Sequence, residues 1–227
     1  MTRRFILDET TIYIVVLGGL MASMSLDDFA VDEIYVLDTE TTGLKGAPLD
    51  VVVDIGITRV DIAEGKVEDV YSSVLGYDVD KWDDYRRNAW IFENTDMTLD
   101  MVREAPPAER VIRDVSRILK DKAVTAYNVG YDMKKFLYLD PWCLNGTFRE
   151  CYDIMLAATD VCKIPSEYYG RKYRYPKLDY AYAHIVDGDP AGIHGVQDHR
   201  ALSDARMASY LMIELYRSGD YTPWKSL

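Results

Sequence analysis

The chain has 227 residues, of which 48% are hydrophobic, and a formal net charge of −12. This length supports one sizeable core, and we predict one large domain rather than two small ones. The acidic balance argues against broad phosphate neutralisation by a Lys/Arg surface, although it leaves room for a local nucleic-acid site. Three cysteines without C-x-x-C spacing indicate neither a zinc site nor a disulfide framework, and they predict a reducing, cytoplasmic setting.

Residues 1–30 are predicted to be an N-terminal extension that precedes the main domain. Their apolar run, residues 12–24, is too short to span a membrane, so no membrane association is predicted. An extra strand, or an upstream extension before a start near Met24, fits this run better than a signal peptide. Acids interrupt the segment that follows Arg3 and Arg4, and no A-x-A site is present.

The next part of the chain has the pattern of a β-meander. Residues 34–37, 51–60 and 67–75 are apolar or β-branched stretches, and the last two are separated by a turn at Gly65. We therefore predict three buried strands, with the first ending at Asp38.

Helical patterns begin at Thr98, a predicted N-cap, and Pro106 and Pro107 interrupt them. Apolar residues recur at helical spacing over residues 111–119, and a short strand is predicted over residues 123–126. Further helices are predicted over residues 152–158, 178–186 and 201–216. Strands followed by interleaved helices predict an α/β domain with a mixed sheet over residues 31–217. Residues 218–227 are predicted to be a C-terminal tail.

Asp38 and Glu40 lie two positions apart where the first strand of the meander ends. Alternation along a strand places both carboxylates on one face of the sheet, where they can share divalent cations. A bare D-x-E pair is usually a surface feature. Here a buried strand precedes the pair and Thr41, Thr42 and Gly43 follow it, which favours a site where the strand enters a turn.

Three further residues could complete such a site. Asp132 follows the strand 123–126, although capping of a helix would also explain an acid there. Asp204 lies within an apolar-patterned helix, where an inward-facing acid needs a partner or a metal. His199 precedes Asp204 by five positions, about 140° around a helix, so both can serve one site only if His199 lies in the loop before the helix.

Four carboxylates would balance the charge of two Mg²⁺ ions, and paired metal ions are a known means of cleaving phosphodiesters. Histidine is suited to deprotonating a water near neutral pH. His199 has a partnered context for this task, whereas His184 and His194 are expected to be surface or packing residues.

These residues resemble the motifs of the DEDDh 3′–5′ exonucleases, a family that includes the proofreading subunit of bacterial DNA polymerase III. Asp38-x-Glu40 is similar to the first motif, Asn128-x-x-x-Asp132 to the second, and His199-x-x-x-x-Asp204 to the third. The likeness extends over about residues 34–216.

The resemblance implies a ribonuclease-H-like fold with a central mixed five-stranded sheet flanked by helices. It implies two Mg²⁺ or Mn²⁺ ions and the release of nucleoside 5′-monophosphates from 3′ ends. It further implies roles for named residues: His199 as general base; Asp38, Glu40, Asp132 and Asp204 as catalytic metal ligands; and Thr41, Leu44 and Asn128 as contacts to the terminal nucleotide.

The chain departs from the family pattern outside the catalytic positions. Tyr127 stands where many members have histidine, Val129 and Gly130 replace the usual small residue and its neighbour, and Asp54 replaces a common glutamate. These differences are expected to affect substrate specificity rather than catalysis.

The predicted substrates are single-stranded 3′ ends, with DNA slightly favoured over RNA, and a proofreading or repair role would bring a DNA polymerase as partner. An exoribonuclease, a small-oligonucleotide hydrolase and a non-catalytic binding module remain alternatives. Residues 168–177 interleave cations and tyrosines, and would either stack bases or form a solvated loop. Trp82, Trp90 and Phe92 are expected to pack rather than line the site. The sequence does not indicate an oligomeric state.

Overall fold

The computed structural model describes residues 11–17, 20–25, 31–186 and 199–224. The chain divides into two compact units, residues 1–32 and 33–227. In the first unit, β1 (Thr11–Leu17) pairs antiparallel with β2 (Leu20–Ser25), so the apolar run contributes to two strands rather than to one extra strand. Among the described residues, no helix has both the length and the apolar character that crossing a membrane requires.

The second unit contains a five-stranded mixed sheet. Its strands are β3 (Glu33–Thr41), β4 (Val52–Asp61), β5 (Lys66–Val74), β6 (Ala123–Ala126) and β7 (Arg149–Glu150). Their spatial order is β5-β4-β3-β6-β7. The first three strands are antiparallel, as the predicted meander requires, and β6 and β7 are added in parallel. The predicted mixed sheet is confirmed.

Helices cover both faces of this sheet. They are α1 (Asp84–Arg87), α2 (Trp90–Asn94), α3 (Leu99–Glu104), α4 (Ala108–Leu119), α5 (Val129–Asp132), α6 (Ile154–Cys162), α7 (Leu178–Ile185) and α8 (Ala201–Arg217). A 3₁₀ turn, Val79–Lys81, precedes α1, and a π-helical segment, Met133–Leu137, follows α5.

The helix boundaries follow local signals, and α6 differs from the sequence prediction at both of its ends. Thr98 caps α3 by accepting from the N–H of Met101, as predicted. The helix predicted from residue 152 begins instead at Ile154, because Asp153 is its N-cap and accepts from the N–H of Leu156 at 2.9 Å. It then continues to Cys162. The short elements α1, α2 and β7 were not predicted.

Alternate side chains of β3 contact different helical layers. Tyr35 and Leu37 share an apolar core with Val111 and Val115 of α4. On the opposite face α8 packs against the sheet, where the Ser209 and Thr58 hydroxyls are 2.7 Å apart. Asp38 and Glu40 follow the even-numbered alternation, so they face the α8 side.

The described part of the predicted C-terminal tail contacts the domain through Tyr221 and Pro223. Tyr221 is 1% exposed, and its hydroxyl donates to the carbonyl of Tyr152 at 2.9 Å. The N–H of Tyr152 donates to the carbonyl of Pro223 at 2.8 Å. The buried Tyr221 therefore anchors this end of the chain to the domain, whereas residues 218–220 are exposed.

Candidate active site

Asp38 and Glu40 lie near the C-terminal end of β3. In the antiparallel pair they are opposite Gly56 and Asp54 of β4, respectively. Both acids are partly buried, and Asp54 is fully buried. Residues directly opposite in an antiparallel pair project to the same face. The strand pairing therefore gathers three carboxylates, Asp38, Glu40 and Asp54, beneath the beginning of α8.

Gly56 allows α8 to begin directly against the sheet. A Cβ added to Gly56 would lie 2.2 Å from the backbone nitrogen of Leu202 and 2.4 Å from the carbonyl carbon of Ala201. These distances are far below any real contact, so only glycine fits at this position. This close approach brings Asp204, which is 4% exposed, over the carboxylates of β3.

His199 lies in the loop immediately before α8, with Arg200 as the N-cap residue. The sequence required this placement for His199 and Asp204 to serve one site. Ligand atoms of Glu40, His199 and Asp204 all lie within 4.8 Å of one another. Carboxylate oxygens and an imidazole nitrogen so gathered form a donor set that suits a divalent cation.

The His199 ring makes an edge-on contact with Trp90, the first residue of α2. Their centroids are 5.1 Å apart and their planes meet at 88°. Trp90 is 56% exposed, so it packs against the histidine at the surface of the protein. Trp82 and Phe92 do pack, with ring centroids 6.2 Å apart.

Asp132 lies just beyond the end of β6. The β3–β6 pairing ends at Leu37 and Ala126, and past this point the Asp132 carboxylate accepts from the N–H of Thr39 at 3.2 Å and from its hydroxyl at 2.6 Å. Capping of α5 is performed by Asn128, which accepts from the N–H of Tyr131 at 3.0 Å. The alternative explanation of Asp132 as a helix cap is therefore not what the structure shows.

The electrostatics of the site reflect crowded acids. Burial of the Asp38 carboxyl raises its pKa well above the ordinary value. Four neighbouring carboxylates raise it further: Asp132, Asp204, Glu40 and Asp54. Burial also raises the pKa of Asp132 to about 7, although its hydrogen bonds from Thr39 oppose that shift. Without a cation, the carboxylates around Asp38 repel one another, and a bound divalent ion would relieve this repulsion.

The loop that follows β3 is organised by a buried acid. Asp50 is 0% exposed and accepts from the N–H groups of Lys45 at 2.7 Å and Gly46 at 3.2 Å, and from the Tyr85 hydroxyl at 3.0 Å. The loop leaves Leu44 76% exposed. Sequence reasoning missed Asp50, because an acid after Leu49 gives no signal of burial.

Thr41 begins the same loop. Its hydroxyl lies 2.5 Å from the hydroxyl of Tyr131 and 2.9 Å from the carbonyl oxygen of Gly43. Burial raises the pKa of the Tyr131 hydroxyl, which therefore stays protonated and able to donate. Tyr131 thus ties the start of α5, where Asn128 lies, to the loop that carries Thr41 and Leu44.

Two other sequence features make aromatic and cation contacts of their own. In residues 168–177, Arg171 stacks on the ring of Tyr175 at 4.1 Å and Lys172 lies over Tyr173 at 4.9 Å, so the cations and aromatics interact with each other. His184 stacks on Tyr180 with centroids 5.8 Å apart, which fits its expected packing role. His194 lies outside the described residues.

Comparison with known protein families gives one match over most of the chain. A family model described as an exonuclease (RNase_T) matches residues 35–212. The matched segment contains every residue of the cluster described above, from Asp38 to Asp204.

Among curated proteins, the DNA polymerase III PolC-type of Bacillus subtilis is 27% identical over 188 residues, which are 82% of this chain and 12% of that protein. The 3′–5′ exonuclease DinG of Staphylococcus haemolyticus is 26% identical over 197 residues, or 85% of this chain and 19% of that protein. The chain thus spans less than a fifth of the length of either relative.

Solved structures share the fold. Escherichia coli exonuclease I in complex with an oligonucleotide aligns with a TM-score of 0.57 at 16% identity, covering 82% of this chain and 41% of that one. The nuclease domain of 3′hExo, a DEDDh family member bound to rAMP, aligns with a TM-score of 0.54 at 15% identity, covering 86% and 98%. The predicted ribonuclease-H-like fold is confirmed by this likeness.

Proposed function

The chain belongs to the exonuclease family, of the DEDDh type that its motifs indicated, and on this premise we propose that it removes nucleotides from single-stranded 3′ ends. The products would be nucleoside 5′-monophosphates. The observation that carries the proposal is the convergence of Glu40, His199 and Asp204 within 4.8 Å beside the partly buried Asp38. Glu40 lies on a strand, and more than 150 positions separate it from the loop and the helix that carry His199 and Asp204.

Asp38, Glu40, Asp132 and Asp204 are the residues that would hold two divalent ions, Mg²⁺ or Mn²⁺. Their fit rests on the raised pKa of Asp38, to which burial contributes most and the neighbouring carboxylates of Asp132, Asp204 and Glu40 add, because a cation would neutralise this concentration of negative charge. When bound, such ions activate a water and stabilise the charge that develops on the phosphate and the leaving oxygen. The protein contributes the fixed geometry of the donors.

His199 is the proposed general base. Its ring lies at the carboxylate cluster, is partly buried, and has one side against Trp90. A histidine so placed accepts a proton from the attacking water near neutral pH, while the adjacent carboxylates stabilise the imidazolium that forms.

Thr41, Leu44 and Asn128 are proposed to contact the terminal nucleotide. Leu44 offers an exposed apolar side chain that a base or sugar would cover. Thr41 and Asn128 lie at the two ends of the Tyr131 connection, so the loop after β3 and the start of α5 would grip the nucleotide together.

The choice of sugar and of partner follows from weaker observations. DNA is slightly favoured, since one curated relative is a DNA polymerase and a proofreading role would supply DNA ends. The sequence shows no motif that would read the 2′-hydroxyl and so favour RNA. A DNA polymerase is the proposed protein partner, and a reducing, cytoplasmic setting the proposed location.

The proposal is tested with purified protein and 5′-labelled single-stranded DNA and RNA of matched sequence. We expect a ladder that shortens from the 3′ end with Mg²⁺ or Mn²⁺, that disappears with chelator, that is absent in Asp38→Asn, and that forms far more slowly but still measurably in His199→Ala. Adding oligomers of two to five nucleotides separates a small-oligonucleotide hydrolase from an exonuclease on long strands. Metal-independent cleavage, or full activity in Asp38→Asn, would overturn the proposal, and binding of both polymers without cleavage would favour the non-catalytic module.

A further inference from the structure

Asp54 is a fully buried acid beside the candidate active site that none of the proposed metal-binding or proton-transfer roles uses. One of its carboxylate oxygens, Oδ2, accepts from Nε of Arg200 at 2.8 Å and from the N–H of Ala201 at 3.2 Å. The side chain of Asp54 is 1% exposed, and that of Arg200 is 35% exposed. A buried carboxylate is costly unless it is paired, and Asp54 is paired through Oδ2, since Oδ1 has no hydrogen-bond partner among the described residues. The pairing therefore fixes where β4 meets the start of α8.

The ion pair between Asp54 and Arg200 is adjacent in sequence to His199, the proposed general base. Arg200 immediately follows His199, whose φ of 52° lies in the left-handed region that residues other than glycine rarely adopt. Such a conformation persists only when the surrounding structure holds it. Both residues that follow His199, Arg200 and Ala201, are tied to the same oxygen of Asp54.

Asp54 is also a cross-strand neighbour of the site acid Glu40. Asp54 lies opposite Glu40 in the β3–β4 register, and Glu40 is one of the residues whose ligand atom lies within 4.8 Å of His199. The strand that presents Glu40 and the loop that presents His199 are thus linked through Asp54.

We propose that Asp54 is a positioning residue: its ion pair with Arg200 holds the backbone at His199 so that the imidazole meets Glu40 and Asp204. This rests on the proposed function, in which His199 is the base. Asp54 is 0% exposed and so does not touch the substrate, which means that any effect on turnover passes through its neighbours.

Two substitutions separate positioning from charge. Asp54→Asn removes a negative charge from the neighbourhood of Asp38, and Arg200→Gln removes a positive one, so a purely electrostatic role predicts opposite effects on activity. Positioning predicts the same effect: both variants lose about tenfold or more in kcat, since small displacements of a reacting group are costly. KM should change less than about twofold in Asp54→Asn, and Arg200→Lys should restore part of the lost kcat.

The matched control is Arg206→Gln. This arginine lies on α8, and the substitution breaks its surface ion pair with Asp69 of β5. It should leave kcat unchanged. Circular dichroism and thermal unfolding establish that each variant is folded. Should Asp54→Asn not fold, Arg200→Lys carries the test, because it keeps a positive charge beside the buried carboxylate while changing the geometry of the pairing.

A double-mutant cycle with His199→Ala decides the mechanism. If Asp54 acts through the histidine, Asp54→Asn should cost little beyond the loss that His199→Ala already causes, less than about twofold in residual kcat. A loss as large as in the parent protein would overturn the inference, as would folded Asp54→Asn or Arg200→Gln with full kcat. An inactive parent protein would instead refute the proposed function, so the two failures are distinguishable.

Discussion

The two sides of the candidate site are held by different forces. On the strand side, Asp38 and Glu40 belong to β3, whose backbone is hydrogen-bonded to β4 along its length. On the helix side, His199 and Asp204 depend on the place where α8 begins, which is set by Gly56 and by the pairing of Asp54 with Arg200. The strand side is therefore robust to side-chain changes, whereas the helix side depends on residues that perform no chemistry.

The sharpest test of the strand side is Glu40→Gln. The amide preserves the shape but removes the charge that a divalent ion requires, so we expect kcat/KM to fall by about 10³-fold or more. Because β3 is held by backbone pairing, the thermal midpoint should not fall. The same substitution at Glu33, at the other end of β3 in a surface ion pair with Arg59, should leave activity intact. Substantial activity in Glu40→Gln would show that the strand-side acids do not hold the metal.

The helix side should break through Gly56→Ala. The added methyl would lie 2.2 Å from the nitrogen of Leu202, so either β4 or α8 must move. We expect a loss of about 1–3 kcal/mol in the free energy of unfolding, together with about a hundredfold loss of kcat as His199 and Asp204 are displaced.

Gly130→Ala is the matched control for this change, because a Cβ there meets no atom closer than 3.4 Å. Its free energy of unfolding, measured in urea, should not decrease. A Gly56→Ala protein with unchanged stability and kcat would contradict the view that the start of α8 is fixed by contact with the sheet.

The cost of burying the Asp132 carboxylate can be measured through the pH dependence of the free energy of unfolding. Burial raises the pKa of Asp132 in the folded state to about 7, above its value in the unfolded chain. The stability that this group contributes is complete below the unfolded pKa and is lost as the pH rises through the folded one. The substituted side chain in Asp132→Asn is neutral at every pH. Without metal, the free energy of unfolding of this variant relative to the parent protein should therefore increase between pH 5 and pH 8, by on the order of 2 kcal/mol.

Urea unfolding in chelator at the two pH values measures this difference. Asp96→Asn removes an exposed acid and controls for net charge. If the difference in the free energy of unfolding between Asp132→Asn and the parent does not widen towards pH 8, burial does not raise the pKa of Asp132 as the structure indicates.

The contrast between the two sides also explains what the sequence could predict. Strands β3, β4 and β5 follow local apolar patterns, and a D-x-E pair at the end of a strand has one geometric outcome, so the strand side was predictable residue by residue. The motif around His199 and Asp204 was recognisable, and the requirement that His199 precede the helix followed from helical geometry alone.

What the sequence did not predict are contacts between distant segments. The pairing of Asp54 with Arg200 joins residues 146 positions apart, and an acid within a β-branched strand was its faint signal. The burial of Asp50 and Tyr221, and the placement of Trp90 beside His199, likewise depend on tertiary packing. Local patterns determine which elements form, and the helix side of the site is determined by how those elements meet.

The smallest expected effect concerns Leu44, in the loop that follows β3 on the strand side of the site. Leu44→Ala removes an apolar side chain that is 76% exposed in the free protein, so stability should not change. If the terminal nucleotide covers this side chain, its loss costs roughly 1 kcal/mol of binding, or about a fivefold rise in KM, with kcat nearly constant. Leu49→Ala, at the other end of the same loop and 57% exposed, should leave KM unchanged. Equal KM values for the two variants would place the nucleotide elsewhere, and would leave the Asp50-organised loop as a structural support for β3 rather than a part of the substrate site.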